Sequence, residues 1–587
     1  MRSLRRGLLF LPLLQLQIES ITFAHIEKFI VSIMTNKEIA KAFNELAGLM
    51  ELHEQNSFKI KSYQNAYRFL RKVSNPLNEM TEKEIGAIPG VGKAIVGKIQ
   101  ELTKNGSMAT LEKWRAETPE GVRQMLNVKG FGPKKIKVVW QELGIETIGE
   151  LLHACTENRL VAVKGFGQKT QKNLEEQLEY HLQSSNKFHL ATLLPLAEEY
   201  LAEFHLLFPK HQSSLSGKIR REYPIVDQID LITTTTNIET FLSNSNLELT
   251  EQTDSAWNLK AEKGFKVVVH KATNSNYGSR LFQTSHDEDF KALFGKADNG
   301  KQKTESAIFK SAGFPVILPA LRELEGNSEL DPVGKRALDG WSPDLVEMED
   351  IKGVVHAHST YSDGINSIKE MAERCQQLGY EYLALTDHSQ SAFYADGLKV
   401  DRLYNQWDEI DELNKNLKDF KIFRGIESDI LSSGGLDYED EILMEFDFII
   451  ASVHSNLKMD REKATKRIVT AIENPYTSIL GHPTGRLLLA RKGYPIDYKK
   501  VIDACSDNGV AIEINANPLR LDLDWRWIPY ALEQDVMIAI NPDAHSTGGI
   551  EDIRWGLSAA RKAGLTNDQS LCSLDASEFE DFCRSRI

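Results

Sequence analysis

The sequence predicts a multidomain protein with an α-helical amino-terminal part and a carboxy-terminal (β/α)7 barrel. Three observations lead to this prediction. At 587 residues the chain exceeds what one hydrophobic core usually supports. Three similar glycine-containing turns lie before residue 180, and each leads into a helix-like run. After residue 350, seven short apolar runs alternate with helix-like segments, which is typical of a parallel barrel.

The composition is that of an ordinary globular protein, with 41% hydrophobic and 26% charged residues. The five cysteines form no CxxC pair, which predicts reduced thiols rather than disulfides or a cysteine-based zinc finger. A net charge of −14 argues against a protein that coats nucleic acid along its whole length. Residues 34–180, however, hold 22 Lys and Arg against 18 Asp and Glu, and this net charge of +4 suits phosphate contact.

Residues 1–33 differ from the rest of the chain, with three arginines followed by a short apolar run that Pro12 interrupts. Because no small-x-small cleavage site follows, we predict a spurious extension rather than a signal peptide, with translation starting at Met34. No later stretch approaches the roughly 18 to 20 apolar residues that a membrane helix needs. We therefore expect a cytoplasmic protein that is associated with the nucleoid and makes no membrane contact.

The three glycine turns share one design, in which two glycines flank an apolar residue and a lysine follows. They are Ile88-Pro-Gly-Val-Gly-Lys93, Val128-Lys-Gly-Phe-Gly-Pro-Lys134 and Val163-Lys-Gly-Phe-Gly-Gln-Lys169. Such a turn directs backbone N–H groups outward at a helix amino terminus, where they bind phosphate without reading sequence. One copy is a common helix connection, whereas three favour a nucleic-acid interface. The predicted DNA contacts are Gly90, Gly92, Lys93, Gly130, Gly132, Lys134, Gly165, Gly167 and Lys169.

These turns resemble the helix-hairpin-helix motif of DNA repair proteins. Residues 34–105 are similar to the small lyase-type domain of family X DNA polymerases, including Asn56-Ser-Phe-Lys-Ile-Lys-Ser-Tyr63, and 106–185 would form a fingers-like region. In that family a lysine at the position of Lys98 can form a Schiff base with an abasic sugar, which requires a lowered pKa. The alternative is that Lys98 contacts phosphate or lies in solvent.

Residues 186–290 resemble the palm of the same family, in which acidic side chains hold two Mg²⁺ for nucleotidyl transfer. Ile225-Val-Asp-Gln-Ile-Asp-Leu-Ile232 aligns with the family's Asp-x-Asp strand. In this alignment Asp230 keeps one carboxylate, whereas Gln228 and Val268 replace the other two. Asp227 could substitute only if its strand bulges. We therefore predict an inactive polymerase site.

The phosphate-binding segment of that palm aligns with Gly217-Lys-Ile-Arg-Arg221, where Lys218 replaces the family's serine. Arg220 and Arg221 are retained, and we expect them to help grip DNA. Residues 291–345 look like the thumb of the family. The resemblance therefore implies an α+β nucleotidyltransferase-like palm and thumb that have kept their fold.

The seven apolar runs define the strands of the predicted barrel. They are Gly353 to His356, Tyr382 to Thr386, Lys421 to Ile426, Phe446 to Val453, Thr477 to Leu480, Val510 to Ile514 and Val536 to Ile540. In such barrels catalytic side chains project from the carboxyl ends of the strands. Six of the seven runs end at or beside potential metal ligands. One more potential ligand, Asp363, follows the first run in a loop. The predicted ligands are His356, His358, Asp363, His388, Glu427, His454, His482, Asp543 and His545.

This set of imidazoles and carboxylates suits Zn²⁺, Mn²⁺ or Fe²⁺ better than Mg²⁺ alone. Residues 350–587 resemble the polymerase and histidinol phosphatase (PHP) domain, which bacteria often fuse to family X polymerases in this order. All nine ligand positions of that family are filled. The resemblance implies three ions, bound by His356, His358, Glu427 and Asp543, by Glu427, His454 and His482, and by Asp363, His388 and His545.

Divalent ions in such a site supply a hydroxide for attack on phosphate, so that no protein nucleophile is needed. Of the nine ligands, His356, His358, Glu427 and Asp543 would be the catalytic group. Arg520, in Asn515-Ala-Asn-Pro-Leu-Arg520, is expected either to grip a phosphate or to form a structural ion pair.

The resemblance implies a repair enzyme that uses two or three divalent ions to trim 3′ ends of DNA, as a 3′-to-5′ exonuclease or a 3′-end phosphoesterase. We expect gapped, nicked or 3′-recessed DNA as its partner and a monomeric protein. Three alternatives remain, namely a working gap-filling polymerase, a histidinol-phosphatase-like enzyme for small molecules, and a non-catalytic DNA-binding scaffold. The hairpins argue against the second and the nine ligand positions against the third.

Overall fold

The computed structural model describes residues 34–585 except 74, 129, 162, 164, 184–186, 262–263, 287 and 326–329. The predicted extension over residues 1–33 lies outside this range. The chain divides into two compact units, one ending at Ile148 and the other running from Gly149 to Ile587. This division falls inside the fingers-like region that the sequence suggested for 106–185.

The first unit is helical, as the amphipathic pattern of the sequence predicted. Its helix α1 begins after Thr35, where the Thr35 hydroxyl and the Glu38 carboxylate cap each other's backbone N–H groups. One face of α1, including Phe43, Leu46 and Leu49, is fully buried. The seven described helices are α1 (Asn36–Leu52), α2 (Ser57–Leu70), α3 (Glu82–Gly86), α4 (Lys93–Asn105), α5 (Ala109–Glu117), α6 (Glu120–Met125) and α7 (Pro133–Gln141).

The second unit begins with two helices, α8 (Ile148–Thr156) and α9 (Gln168–Gln183), and continues into a mixed α+β region. The strands of this region are β1 (Phe188–His189), β2 (Ser213–Leu215), β3 (Ile225–Val226), β4 (Ile229–Thr233), β5 (Leu247–Gln252), β6 (Ala256–Ala261) and β7 (Lys266–Lys271). Five of them form a sheet in the order β2-β4-β7-β6-β5, in which β4 and β7 are parallel. The helices of the palm-like part are α10 (Leu190–Leu207), α11 (Gly217–Arg220) and α12 (Ile238–Asn244).

A helical segment connects this sheet to the barrel. It contains α13 (Tyr277–Ser285), α14 (Glu288–Phe294), α15 (Glu305–Ala312) and α16 (Val333–Leu338). Its aromatic core brings Phe282, Phe294 and Phe309 together, with ring centroids 4.9 to 5.9 Å apart. The helical, palm-like and thumb-like parts thus agree with the predicted fold class.

The remaining residues form a parallel seven-stranded sheet that closes almost completely into a barrel. Its strands follow the order of the chain: β8 (Gly353–Val355), β9 (Tyr382–Leu385), β10 (Lys421–Asp429), β11 (Phe448–Ser452), β12 (Ile479–Leu480), β13 (Ala511–Asn515) and β14 (Ile538–Asn541). The helices around it are α17 (Ile368–Gln377), α18 (Val400–Asn416), α19 (Asp440–Leu443), α20 (Arg461–Ile472), α21 (Tyr498–Asn508), α22 (Ile528–Glu533), α23 (Ile553–Ala563) and α24 (Ala576–Arg584). The (β/α)7 prediction is confirmed.

Two hydrogen bonds close the barrel just beyond its first and last strands. The backbone N–H of His358 donates to the carbonyl of Ala544 at 2.9 Å, and the N–H of Ala544 donates to the carbonyl of His356 at 3.2 Å. This closure places the segment His356 to His358 beside Asp543 and His545. Within the described residues, no helix is long and apolar enough to cross a bilayer.

Candidate metal centre and nucleic-acid interface

The nine side chains predicted from the strand ends converge at the carboxyl end of the barrel. Their potential ligand atoms fall into three overlapping groups, within each of which all atoms lie less than 4.8 Å apart. The groups are His358, Asp363, His388 and His545; His356, His358 and Asp543; and His388, Glu427 and His454. The ninth side chain, His482, joins the cluster through Glu427.

Glu427 lies at the centre of this cluster. Its Oε1 is 3.0 Å from His482 Nε2 and 3.1 Å from His454 Nε2, and its Oε2 is 2.9 Å from His388 Nδ1. Burial opposes ionisation of this carboxyl group, but the imidazoles of His454, His356 and His388 hold its pKa well below the usual range. Glu427 is therefore an anion among imidazoles, as a bridging ligand would be.

The donor set fits divalent cations. His358 Nδ1, Asp363 Oδ2 and His482 Nδ1 are buried and have no hydrogen-bond partner among the described residues. Unpaired polar atoms in a buried site cost free energy unless something satisfies them. Imidazole nitrogens and carboxylate oxygens that face one another in this way are ligands for Mn²⁺, Zn²⁺ or Fe²⁺.

A second group of acidic residues, which sequence reasoning missed, orients the imidazoles. The Nδ1 of His356 donates to Glu513 Oε2 at 2.6 Å, and the Nδ1 of His454 donates to Asp429 Oδ1 at 2.5 Å. Such bonds fix the ring so that its other nitrogen faces the ions. The sequence signal that could have indicated this second group is the pair Glu513 and Asn515. These are two polar residues on the same face of the fully buried strand β13.

Arg520 is fully enclosed beside the cluster. Its NH2 lies 3.1 Å from Glu157 Oε1, and its Nε lies 4.0 Å from Asp543 Oδ2. The adjacent carboxylates of Glu157 and Asp543 raise the pKa of the guanidinium against the effect of burial. Of the two roles that the sequence left open, this geometry is that of a structural ion pair.

The three hairpins have the same backbone geometry. Their first glycines, Gly90, Gly130 and Gly165, have positive φ angles of 75°, 80° and 95°. Only glycine adopts this conformation without strain. The apolar residue of each turn is buried: Val91, Phe131 and Phe166.

The second glycine of each hairpin begins the following helix. The carbonyls of Gly92, Gly132 and Gly167 accept the first helical hydrogen bonds, at 2.8 to 2.9 Å. No atom lies within 4 Å of the position that a Cβ would occupy at these glycines, so the outer face of each turn is open. Lys93, Lys134 and Lys169 are exposed beside it. Each hairpin thus presents the amino terminus of a helix and a lysine to solvent, an arrangement that suits phosphate binding.

Lys98 lies on helix α4 and is half-buried. Its Nζ donates to the hydroxyl of Thr110 at 2.6 Å. A Schiff-base role for Lys98 stays a prediction that this contact does not support.

The palm-like sheet places Asp230 opposite Val268, in register on β4 and β7. Asp230 Oδ1 accepts hydrogen bonds from Gln228 Nε2 at 2.8 Å and from His270 Nε2 at 3.0 Å. Sequence reasoning missed His270, which lies two residues beyond Val268 and therefore on the same face of β7. Asp227 is exposed and 3.3 Å from Lys218, so it does not join Asp230.

Arg220 and Arg221, which the sequence suggested as DNA contacts, form ion pairs within the protein. Arg220 NH1 donates to Glu305 Oε1 at 2.8 Å, and Arg221 NH1 donates to Glu323 Oε2 at 3.1 Å. Both carboxylates come from the thumb-like segment. The arginines therefore connect palm and thumb, and their guanidinium groups are not presented to DNA in this arrangement.

Comparison with known proteins agrees with these features. Residues 34–108 match the helix-hairpin-helix domain family, 122–179 the SAM-like helix-hairpin-helix tandem and 355–517 the PHP domain. The chain is 33% identical over 581 residues to the DNA polymerase/3′-5′ exonuclease PolX of Bacillus subtilis, covering 94% of this chain and 100% of that protein. It is also 29% identical over 245 residues to a probable phosphatase of Thermoanaerobacter sp. (strain X514), covering 39% of this chain and 94% of the relative.

Proposed function

The chain belongs to the PolX family, and from this premise we propose that it is a DNA repair enzyme whose barrel trims 3′ ends while its palm does not polymerise. As a PolX homologue with a PHP domain, it is an enzyme that acts on nucleic acid. For the barrel we propose the activity of a metal-dependent 3′-to-5′ exonuclease or 3′-end phosphoesterase. The observation that carries it is the buried cluster of nine ligand-type side chains around Glu427.

In this mechanism His356, His358, Glu427 and Asp543 would hold one divalent ion, and the remaining cluster residues would complete one or two further sites. When bound, the ions lower the pKa of water toward about 7 and neutralise the phosphate. Glu513 and Asp429 keep His356 and His454 oriented by accepting hydrogen bonds from their Nδ1–H groups.

The palm lacks what nucleotidyl transfer requires. One carboxylate, Asp230, remains where a two-metal site needs several, and its Oδ1 already accepts two hydrogen bonds from Gln228 and His270. Arg220, which would contact nucleotide phosphates in the family, is paired with Glu305. We propose that palm and thumb now serve as structural support for the barrel.

The proposed substrate is DNA with a gapped, nicked or 3′-recessed end, which a monomer would process in cytoplasmic base excision repair. The hairpins would hold the sugar-phosphate backbone without reading its sequence. Similarity of the barrel to probable phosphatases favours a second candidate, an enzyme for small phosphate monoesters. Turnover of histidinol phosphate as fast as that of DNA would support this alternative.

The direct test is metal removal. Dialysis of the full chain against EDTA is expected to abolish release of nucleotides from 3′-labelled DNA, because the cluster then holds no cation to neutralise the phosphate. Addition of Mn²⁺ should restore release, and an equal addition of Mg²⁺ should restore less of it. Undiminished release after removal of metal, verified by elemental analysis, would contradict the proposal.

The hairpin lysines are expected to contribute to DNA affinity. Replacing Lys93, Lys134 and Lys169 by Gln should weaken binding to DNA of any sequence. The negative slope of log K against log salt should also become shallower, by about one for each phosphate that is no longer neutralised. Fluorescence anisotropy at several salt concentrations measures both quantities. A triple variant of exposed lysines elsewhere, Lys369, Lys415 and Lys500 to Gln, serves as the control. Equal slopes for the two variants would show that the hairpins do not bind phosphate.

A further inference from the structure

The rim of the metal centre carries an exposed aromatic side chain on a tightly held turn. Phe393 is 87% exposed, whereas Ala392 and Ala395 on either side of it are buried. The N–H of Gly397 donates to the carbonyl of Ala392 at 3.1 Å. A Cβ at Gly397 would lie 1.9 Å from the carbonyl oxygen of Ser389, so the loop packs closely on itself. The turn therefore holds the Phe393 ring in solvent, where its face is open to stacking.

The neighbouring residue, Tyr394, connects this ring to the metal centre. The Tyr394 ring centroid is 6.1 Å from that of Phe393, 6.1 Å from that of His388 and 6.3 Å from that of His454. Its phenol oxygen is buried and has no hydrogen-bond partner among the described residues. Because the phenol oxygen is enclosed, Tyr394 contributes its ring, and not its hydroxyl group, to this path.

A cation lies beside the Tyr394 ring. The guanidinium of Arg159 stacks on Tyr394, with Cζ 4.6 Å from the ring centroid, and its NH1 is 3.7 Å from Glu157 Oε2. Arg159 Nε makes no hydrogen bond within the described part of the chain. Arg520 is enclosed by Glu157 and Asp543. The Arg159 side chain is 23% exposed and can therefore bind a phosphate from solvent.

Together these residues offer an exposed ring face and a guanidinium along one path to the metal centre. The ligand-type side chains at the end of this path are buried, with at most 11% of each exposed. A phosphodiester reaches them only if its nucleotide leaves the duplex, since a paired nucleotide brings the opposite strand to the rim. Aromatic stacking suits any unpaired base because every base has a π face.

We propose that Phe393, Tyr394 and Arg159 form a seat for one unpaired nucleotide of DNA at the mouth of the barrel. Phe393 stacks on the base, Arg159 donates to the phosphate, and the Tyr394 ring supports both side chains. The seat rests on the proposed exonuclease function and specifies its substrate as a single-stranded or frayed 3′ end. Paired 3′ ends then react only as fast as they fray.

The test compares three side chains at position 393 in the full chain with Mn²⁺ and a single-stranded oligonucleotide. Phe393→Leu keeps apolar bulk but loses the π face, and it is expected to raise KM roughly 5-fold or more with kcat little changed. Phe393→Trp, which can stack, is expected to keep KM near that of the unmodified protein. Tyr404→Leu removes an exposed aromatic of helix α18 and should leave KM unchanged. Equal KM for Phe, Leu and Trp at position 393 overturns the seat.

A binding measurement separates failure of the seat from failure of the proposed function. An oligonucleotide with 5-iodouracil at its 3′ end is bound to a Glu427→Gln variant and irradiated, because this base crosslinks to aromatic rings stacked on it. The expected crosslink maps to Phe393 by mass spectrometry and disappears in Phe393→Leu. Crosslinking elsewhere, or none, overturns the seat, whether or not the protein hydrolyses DNA. An absence of hydrolysis with a crosslink at Phe393 overturns the exonuclease and keeps the seat.

Discussion

Replacing Glu427 with Gln is expected to lower the rate of DNA hydrolysis at least about 10³-fold. The carboxylate of Glu427 lies within 3.3 Å of ring nitrogens from His356, His388, His454 and His482. A neutral amide of the same shape lacks the negative charge that binds the adjacent ions. Loss of these ions removes several kcal/mol of transition-state stabilisation, which corresponds to the expected fall in rate. Single-turnover release of the terminal nucleotide in Mn²⁺ measures the effect.

The fold of this variant should persist, because Gln fills the same volume in the barrel. Its circular dichroism spectrum should match that of the unmodified protein, and elemental analysis should find less bound metal. Glu412→Gln, an exposed position on helix α18, provides the matched control and should hydrolyse DNA at the normal rate. Full activity in the Glu427→Gln variant would show that the Glu427 carboxylate is not needed for hydrolysis.

Replacing Lys562 with Met is expected to destabilise the second unit by about 3 to 5 kcal/mol. Lys562 is fully buried on helix α23, and burial lowers the pKa of its ammonium group. Its Nζ donates to Glu323 Oε1 at 2.8 Å and to the carbonyl of Arg221 at 2.9 Å. Without the ammonium, the buried Glu323 carboxylate and the Arg221 carbonyl each lose a partner. The apparent Tm should fall by roughly 3 to 5 °C.

The double variant Lys562→Met, Glu323→Gln tests the carboxylate that Lys562 and Arg221 share. Because Glu323 also pairs with the buried Arg221 at 3.1 Å, the double variant removes this carboxylate from a second cation and should be less stable than Lys562→Met. Lys500→Met, at an exposed ion pair with Asp497, should change stability by less than about 1 kcal/mol. An unchanged Tm for Lys562→Met would show that this ion pair does not connect barrel, palm and thumb.

Much of the barrel could be predicted because its signals are local. Each buried parallel strand appears as a short apolar run, and the residues that follow the strands meet at one end of the barrel. Glu427 shows the limit of such local signals. The apolar run stops at Ile426 and so predicts Glu427 just after the strand, whereas β10 continues through Glu427 to Asp429.

Pairings between distant residues could not be predicted. Glu513 supports His356 across 157 positions, and Glu157 meets Arg520 across 363. His270 and Asp230 are likewise joined only by the register of β4 and β7. Such contacts depend on the packing of whole elements, which no periodicity in the sequence records.

The measurement that tests the central claim most directly is a primer assay with purified residues 34 to 587. A 5′-labelled primer on a longer template is incubated with Mn²⁺ and all four dNTPs, beside the His356→Ala, His358→Ala variant. We predict progressively shortened primers with the unmodified chain and unchanged primers with the variant. Primers lengthened along the template would contradict the account, because they would show that a palm with Gln228 and Val268 in place of carboxylates still polymerises.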